Sequence, residues 1–442
     1  MYLCWSISPP ACLKQKIEPM IAAIVIVAAV LIIIGLPIAF ALGLASVVGI
    51  LVQGALPMEI VAQRIVNTID KNSLLAVPLF VLAGEIMNSG GITNRLMNFA
   101  RALVGHMRGG LAQVNVVVSM FFAGVSGSAT ADAAAFGKIL IPSMRKEGFD
   151  DGFSVSITAA TATLGPILPP SVVMIVYASM TNLSIGRLFM AGLVPGILIG
   201  LLFMALARFF AIRRNYPRHD WVGFGNLLKA FGQAFFSLIA PGIIAVGIVG
   251  GVFTATEAGA IVVAYAMILG AAYGDLNWAN FTAALWSAAE STGIILFMVA
   301  TASVVGWLLA IGGFPAFVVD TIGLFGDNYA VVILVIIIVI LLIGMILDGM
   351  AAMIILVPVL FPVAAQLGLD QIQFAMVVIL CTMIGAITPP VGLLLYISCQ
   401  VGGVSPRAIG WSIWPFVGVM LLVTVAVAFI PKLSLWLPDV VF

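Results

Sequence analysis

Two stretches of this chain carry no charge for longer than one membrane helix requires, and a double proline interrupts each near its middle. Residues 152–186 and 371–406 run uncharged for 35 and 36 positions, with Pro169-Pro170 and Pro389-Pro390 inside them. About 20 apolar residues suffice to cross a bilayer. Proline removes a backbone donor and disfavours helix at the residue before it. Each stretch is therefore expected to form two half-helices around an unwound piece. In hydrocarbon such backbone persists only where protein buries it or where it lines an aqueous cavity.

Composition supports that frame. Hydrophobic residues make up 63% of the 442 and charged residues 8%, against about 25% charged in a soluble domain. A mean hydropathy of +1.26 leaves too little polar surface for a water-soluble protein. An outer-membrane barrel is excluded too, because it would show short alternating strands rather than long apolar runs. The fold class is all-α and polytopic, with about ten to twelve spans expected from the chain length. A net charge of +1 and the lack of a basic stripe exclude a nucleic-acid surface.

The proline pairs belong to a longer repeat. A shift of 220 positions superposes Pro142 on Pro362, Gly148 on Gly368, Asp150 on Asp370, Gly165 on Gly385, Ile167 on Ile387, and the two proline pairs. These are seven identities in 29 positions without a gap. The same shift pairs Gly124 with Gly344, and a shift of 222 pairs Gly90-Gly91 with Gly312-Gly313. Two related halves follow, at 74–200 and 294–420, expected to be inverted with respect to one another. Paired broken helices in repeated halves point to a transporter site near the midplane. The remaining divisions are an N-terminal tail (1–19), scaffold helices at 20–73 and 201–293, and a C-terminal helix end (421–442). The tail, with Lys14, Lys16 and Glu18 before the apolar run from Met20, reads as an appendage or an upstream translation start rather than a signal peptide.

The segment from Phe121 to Pro142 is polar and glycine-rich at its start. Residues 111–142 are expected to form a re-entrant helical hairpin with its tip at Gly124 to Thr130. Its counterpart spans 329–362, with its tip at Gly344 to Met350. The alternative is two ordinary helices joined by an external loop; the charge just past the glycines in each half, Asp132 or Asp348, weighs against it. The broken helices are expected at 152–186 and 371–406.

Hairpin tips facing unwound segments create two cages suited to sodium, a hard cation that prefers oxygen ligands. Candidate ligands, mostly through carbonyls, are Gly124, Ser126, Ser128, Gly165 and Leu168 in the first half. In the second half they are Gly344, Gly385 and Thr388. Close helix packing is the competing role for any single glycine. A substrate anion would lie between the cages, held by helix N-termini and by Ser126, Ser128, Thr130 and Ser171, with Asp348 accepting from substrate hydroxyls or helping to hold sodium. A charge inside the membrane is costly and functional by default; for Asp132 the alternative is N-terminal helix capping.

Other features carry less. Glu85, Glu257 and Glu290 interrupt apolar sequence and fit an interface or subunit contact. His106 and His219 sit beside arginines in expected loops, and Cys4, Cys12, Cys381 and Cys399 have no metal-site spacing. The polar stretch from Arg208 to Lys229 is expected on the cytoplasmic side. No phosphate-binding GxxxxGK[ST] loop exists, so transport must draw on an ion gradient or an energised partner.

The motifs GVSGSATADAAAFGKILIP, TATLGPILPPS, GMILDGM and GAITPPVG together resemble the large membrane subunit (M, DctM-type) of tripartite ATP-independent periplasmic (TRAP) transporters. The resemblance covers nearly everything from Met20 onward. It implies sodium-driven uptake in a bacterial or archaeal inner membrane by elevator motion. It also implies a small four-helix membrane partner (Q type) and a periplasmic binding protein (P type) that delivers a C4-dicarboxylate, a sialic acid or another sugar acid. Carried over by position, sodium ligands fall on Gly124, Gly165, Gly344, Gly385 and Thr388, and substrate contacts on Ser126, Ser171 and Asp348. No small subunit is fused here, so that partner is expected as a separate chain. The competing function is a stand-alone ion–carboxylate symporter without a binding protein; an intramembrane enzyme lacks a Ser/His or Asp/Asp pair within its spans.

Overall fold

The computed structural model describes residues 11–54, 56–323 and 329–442. Among them the regular structure is entirely helical, as expected for a chain that must satisfy its backbone within lipid. Among the described residues six helices are long and apolar enough to cross a membrane, or up to eight if each of two bent pairs counts as one span. This falls below the ten to twelve expected, because apolar sequence is spent on hairpin arms and half-helices. Gly110–Ser126, Tyr329–Gly344, Gln371–Ala386 and Leu393–Gly402 are all shorter than 18 residues.

The N-terminal helix starts at Ala11 and runs through Pro19 to Ile33, so part of the expected tail is helical. Tyr2, Cys4 and Trp5 lie outside the described residues. The polar stretch after Arg208 is shorter than its charges suggested. The helix Ile185–Arg213 continues into it, and Phe224–Val249 begins before it ends. His106 and His219 do fall in connections, and Cys381 and Cys399 are buried free thiols. Trp221, Trp278, Trp411 and Trp436 are exposed close to helix ends, where interfacial aromatics belong.

Gly110–Ser126 and Ala129–Lys146 meet at Gly127-Ser128. The ring centroids of Phe122 and Phe136 lie 5.0 Å apart, edge to face; in a straight helix those positions would be about 21 Å apart. The chain reverses because Gly127 takes φ +61°, a left-handed conformation open to glycine at no steric cost. Tyr329–Gly344 and Gly349–Gln366 form the second pair, and both pack on Gln371–Ala386. Thr382 of that helix lies against both sides of the second tip, next to Gly344 and to Gly349.

Both proline pairs break their helices. Asp151–Ala162 and the short Leu164–Ile167 turn precede Val172–Thr181, which is bent away by 43°. Gln371–Ala386 stops before the second pair, and Leu393–Gly402 resumes after it. Pro169-Pro170 and Pro389-Pro390 are both cis.

Candidate substrate and ion site

Each hairpin tip sits on the broken helix of its own half. A Cβ built on Gly127 would stand 2.8 Å from the Pro170 carbonyl oxygen and 3.1 Å from the Val172 nitrogen. One built on Gly165 would stand 2.7 Å from Oδ2 of Asp132 and 3.5 Å from the Ser128 backbone. In the second half a Cβ on Gly385 would overlap the backbone of Gly344, with the Gly344 Cα and oxygen both at 2.6 Å. Gly385 thus permits a backbone approach that any side chain would block, whereas a Cβ on Gly165 would closely meet only the end of the Asp132 side chain and one on Gly344 nothing nearer than 3.3 Å. Gly124 differs. A Cβ there would lie 2.7 Å from the Pro241 ring and 3.7 Å from the Pro169 oxygen, so its tightest contact is helix packing rather than the cage.

The residues that cap the second arms are in the same register. Ser128 caps Ala129–Lys146, its Oγ accepting from the Ala131 nitrogen at 3.4 Å. Asp348 caps Gly349–Gln366, its Oδ2 accepting from Met350 at 3.1 Å and Ala351 at 3.4 Å. Ser128 and Asp348 are 220 positions apart, as are Ala131 and Ala351. Asp348 is therefore the counterpart of Ser128, and Asp132 lies four residues further along its own arm. The capping alternative for Asp132 is corrected, because Ser128 holds that position. Asp132 is fully buried, and among the described residues neither carboxylate oxygen meets a hydrogen-bond partner in good geometry, although the Ser126 hydroxyl is near enough to interact with it. Its Oδ2 instead lies against Gly165. A buried, unpaired carboxylate is expensive, a cost that a proton or a bound cation would offset.

Two adjoining cavities lie between the tips. One, about 330 Å³, is lined by Ser126, Ser128, Thr130, Glu85, Asn88 and Ser291, among others. The second, about 230 Å³, is lined by Ser128, Thr130, Asp348, Gly349, Pro166 and Ser291, among others. They share Ser128, Thr130, Ser291, Ile295 and Met350. Small-molecule sites run from roughly 300 to 1,000 Å³, so the pair suits a small solute. The helices starting at Ala129 and Gly349 both point their N-termini here, giving backbone donors and positive dipole ends from two sides.

The structure thus gathers Ser126, Ser128, Thr130 and Asp348 at one place. Ser171 is not among them. It is fully buried, its hydroxyl donating to the Pro166 oxygen at 2.6 Å and accepting from the Met174 nitrogen at 3.2 Å. It ties the break together and caps the second half-helix. Thr388 donates to the Ile384 oxygen at 2.6 Å, which leaves its lone pairs for another partner. Leu168 stands in extended backbone, φ −91° and ψ 140°, which takes its carbonyl out of the helical ladder.

Sequence reasoning passed over Glu85 as a site residue, reading it as an interface group. It lines the larger cavity, and its Oε1 accepts from the Ser287 Oγ at 3.0 Å. The signal was available: Glu85 is the sole charge in Ala76–Ser89, and an isolated carboxylate in a span needs a reason. Asn88 and Ser291 gave no such signal. Glu257 closes a capping box with Thr254, and Glu290 is exposed on Trp278–Ile311.

Paired hairpins on interrupted helices, enclosing polar cavities against a long apolar helix, define a membrane transporter that holds a small solute within the protein. The chain belongs to a family of such carriers, described as "Tripartite ATP-independent periplasmic transporter, DctM component", which matches residues 25–433. It is 37% identical over 406 residues to the sialic acid TRAP transporter large permease protein SiaM of Vibrio cholerae, covering 92% of this chain and 95% of that one. It is 34% identical over 440 residues to the C4-dicarboxylate TRAP transporter large permease protein DctM of the same species, covering 95% and 97%. Its fold is like that of the Alcanivorax borkumensis YdaH transporter, with a TM-score of 0.57 at 17% identity, covering 85% of this chain and 87% of that one. The protein is thus a multi-pass integral membrane protein and a transporter permease.

Proposed function

We propose that this permease drives sodium-coupled uptake of an organic acid, such as a C4-dicarboxylate, a sialic acid or another sugar acid, across a bacterial or archaeal inner membrane. A periplasmic binding protein delivers the acid, and a small four-helix membrane subunit completes the scaffold. The word "tripartite" in the family description supports the two partners, and the relatives named for sialic acid and C4-dicarboxylate support the substrate class. The observation that carries the proposal is the convergence of both hairpin tips on adjoining cavities that share Ser128, Thr130 and Met350.

The acid's carboxylate takes the N-terminal backbone donors and hydroxyls of Ser126, Ser128 and Thr130. Asp348 accepts from the acid's hydroxyls. One sodium ion sits among oxygens of Gly124, Ser126, Ser128, Gly165 and Leu168, where Asp132 supplies a full negative charge. A second sits among Gly344, Gly385 and the Thr388 hydroxyl. Cation and anion then cross together because each offsets the other's desolvation. Hairpins and broken helices move as one elevator body against the outer helices. The test is uptake of radiolabelled acid into proteoliposomes holding the permease and the small subunit, with the binding protein outside. Uptake should require all three proteins and an inward sodium gradient; uptake indifferent to sodium removal rejects the coupling.

A further inference from the structure

A cavity of about 770 Å³, more than twice the volume of either hairpin cavity, lies elsewhere in the fold. Its walls come from Glu59–Ile69, Trp278–Ile311, Gly349–Gln366 and the end of Val172–Thr181. Two cations line it, Arg64 and Lys71, and no acid does. Glu59 and Asp70, the carboxylates nearest in sequence, are not in its lining. Among the described residues neither cation has an ion-pair partner. Both are instead held in place by neutral groups. The Arg64 guanidinium lies 4.5 Å from the Trp307 ring centroid, and Lys71 Nζ donates to the Ser179 oxygen at 3.0 Å. Stacking uses the face of a guanidinium and leaves its edge donors free, and Lys71, which also donates to Asn182 Oδ1 at 3.4 Å, keeps one of its three ammonium donors free.

Its position along the helices links this cavity to the hairpin site. On Trp278–Ile311, Ser291, Ile295 and Met298 line the smaller hairpin cavity, and the lining of the cationic cavity begins at Val299 and continues through Ser303 to Trp307. On Gly349–Gln366, Met350 lines the former and Val357, Pro358 and Phe361 the latter. The two spaces are consecutive along the same two helices, with Ser291 and Ser303 about 18 Å apart by helical rise. An uncompensated positive pocket walled by low dielectric concentrates anions, and an arginine edge matches a carboxylate in two-point geometry.

We propose that Arg64 and Lys71 form an anion staging site, where the carboxylate of the transported acid rests between the hairpin cavities and the water beyond them. This rests on the hairpin site carrying a carboxylate. Both cations precede the first half and stand across the cavity from the second hairpin arm, so the staging site attracts the acid without belonging to the cages.

The experiment measures the field without transport. In a full-length protein whose native cysteines are replaced, Ser303→Cys is reacted with a sulfonate-bearing methanethiosulfonate and with its trimethylammonium analogue. Asn67→Cys serves as a second reporter should the first disturb the hydrogen bond between Ser303 and Thr68 at 2.6 Å. The anionic reagent is expected to react about tenfold faster than the cationic one, in keeping with electrostatic focusing. Succinate should slow it, and Arg64→Gln/Lys71→Gln should abolish both effects. A rate ratio unchanged by the double substitution at both reporters, or no protection by succinate, overturns the proposal. Failure of acid uptake in proteoliposomes would instead reject the reading of the hairpin site, with the reagent ratio standing apart from it.

Discussion

The two hairpin tips occupy equivalent places in the two halves and are chemically unlike. In the first, a serine caps the inner arm, three hydroxyls surround the turn, and a carboxylate one turn further on is buried without a hydrogen-bond partner in good geometry. In the second, the capping residue is itself the carboxylate, and the positions matching Ser126, Thr130 and Ser171 are Ile346, Met350 and Val391. The same backbone device therefore serves two tasks. The first tip is rich in oxygen and spare negative charge, which suits a cation with an anion beside it. The second offers one carboxylate already engaged by backbone donors, and otherwise apolar walls.

That contrast can be broken at several points. The largest effect is expected at Gly385→Ala, because the added methyl meets the Gly344 backbone, which cannot rotate away. Overpacking of this kind costs about 1–3 kcal/mol or more, so uptake should fall on the order of a hundredfold. Gly165→Ala, which meets only the far end of the Asp132 side chain, should lose about tenfold in uptake. Equal losses would show that the two contacts are alike in rigidity.

Next in size is the pair of carboxylates. Asp132→Asn should raise the sodium concentration for half-maximal uptake about tenfold, equivalent to about 1.4 kcal/mol, with the acid's KM little changed. Asp348→Asn keeps a good cap and should instead raise the acid's KM, leaving the sodium requirement within about twofold. Kinetics that moved together in both variants would remove the division of labour. Smaller again are the caps: Ser128→Ala and Asp348→Ala should each cost about 1 kcal/mol, read as lowered thermal midpoints in detergent.

The smallest effect lies at the loop joining the first hairpin to its broken helix. There Asp150 Oδ2 accepts from Arg214 Nη1 and from the Tyr216 hydroxyl, both at 2.6 Å. Burial, helped by the Asp150 bond, pushes the Tyr216 phenol up from its usual range. Because this pair is partly exposed, Arg214→Gln should cost under about 1 kcal/mol and leave uptake unchanged.

Much of this was legible in the sequence because proline and glycine have few ways to act. Double prolines in uncharged stretches forced the breaks, and glycines in register forced the close approaches. The class of fold followed from hydropathy alone. What stayed hidden was which oxygen faces which neighbour. Ser171 reads as a donor to a ligand, yet the Pro166 carbonyl is within reach five residues back and accepts its hydrogen bond. Asp132 and Asp348 both read as acids just past a glycine-rich tip, and only capping geometry matches Asp348 with Ser128. Nothing in the sequence singles out Arg64 and Lys71, because only folding brings Glu59–Ile69 against Trp307 and the second hairpin.

A direct test of the joint site is a thiol bridge across the two tips. Thr130 and Met350 line both hairpin cavities, so Thr130→Cys/Met350→Cys in a cysteine-free background should be joined by a short bifunctional maleimide. Neither single variant should be, and the transported acid should slow the reaction. A double variant that never links, under conditions where each thiol alone is modified, would mean that the two halves do not build one site.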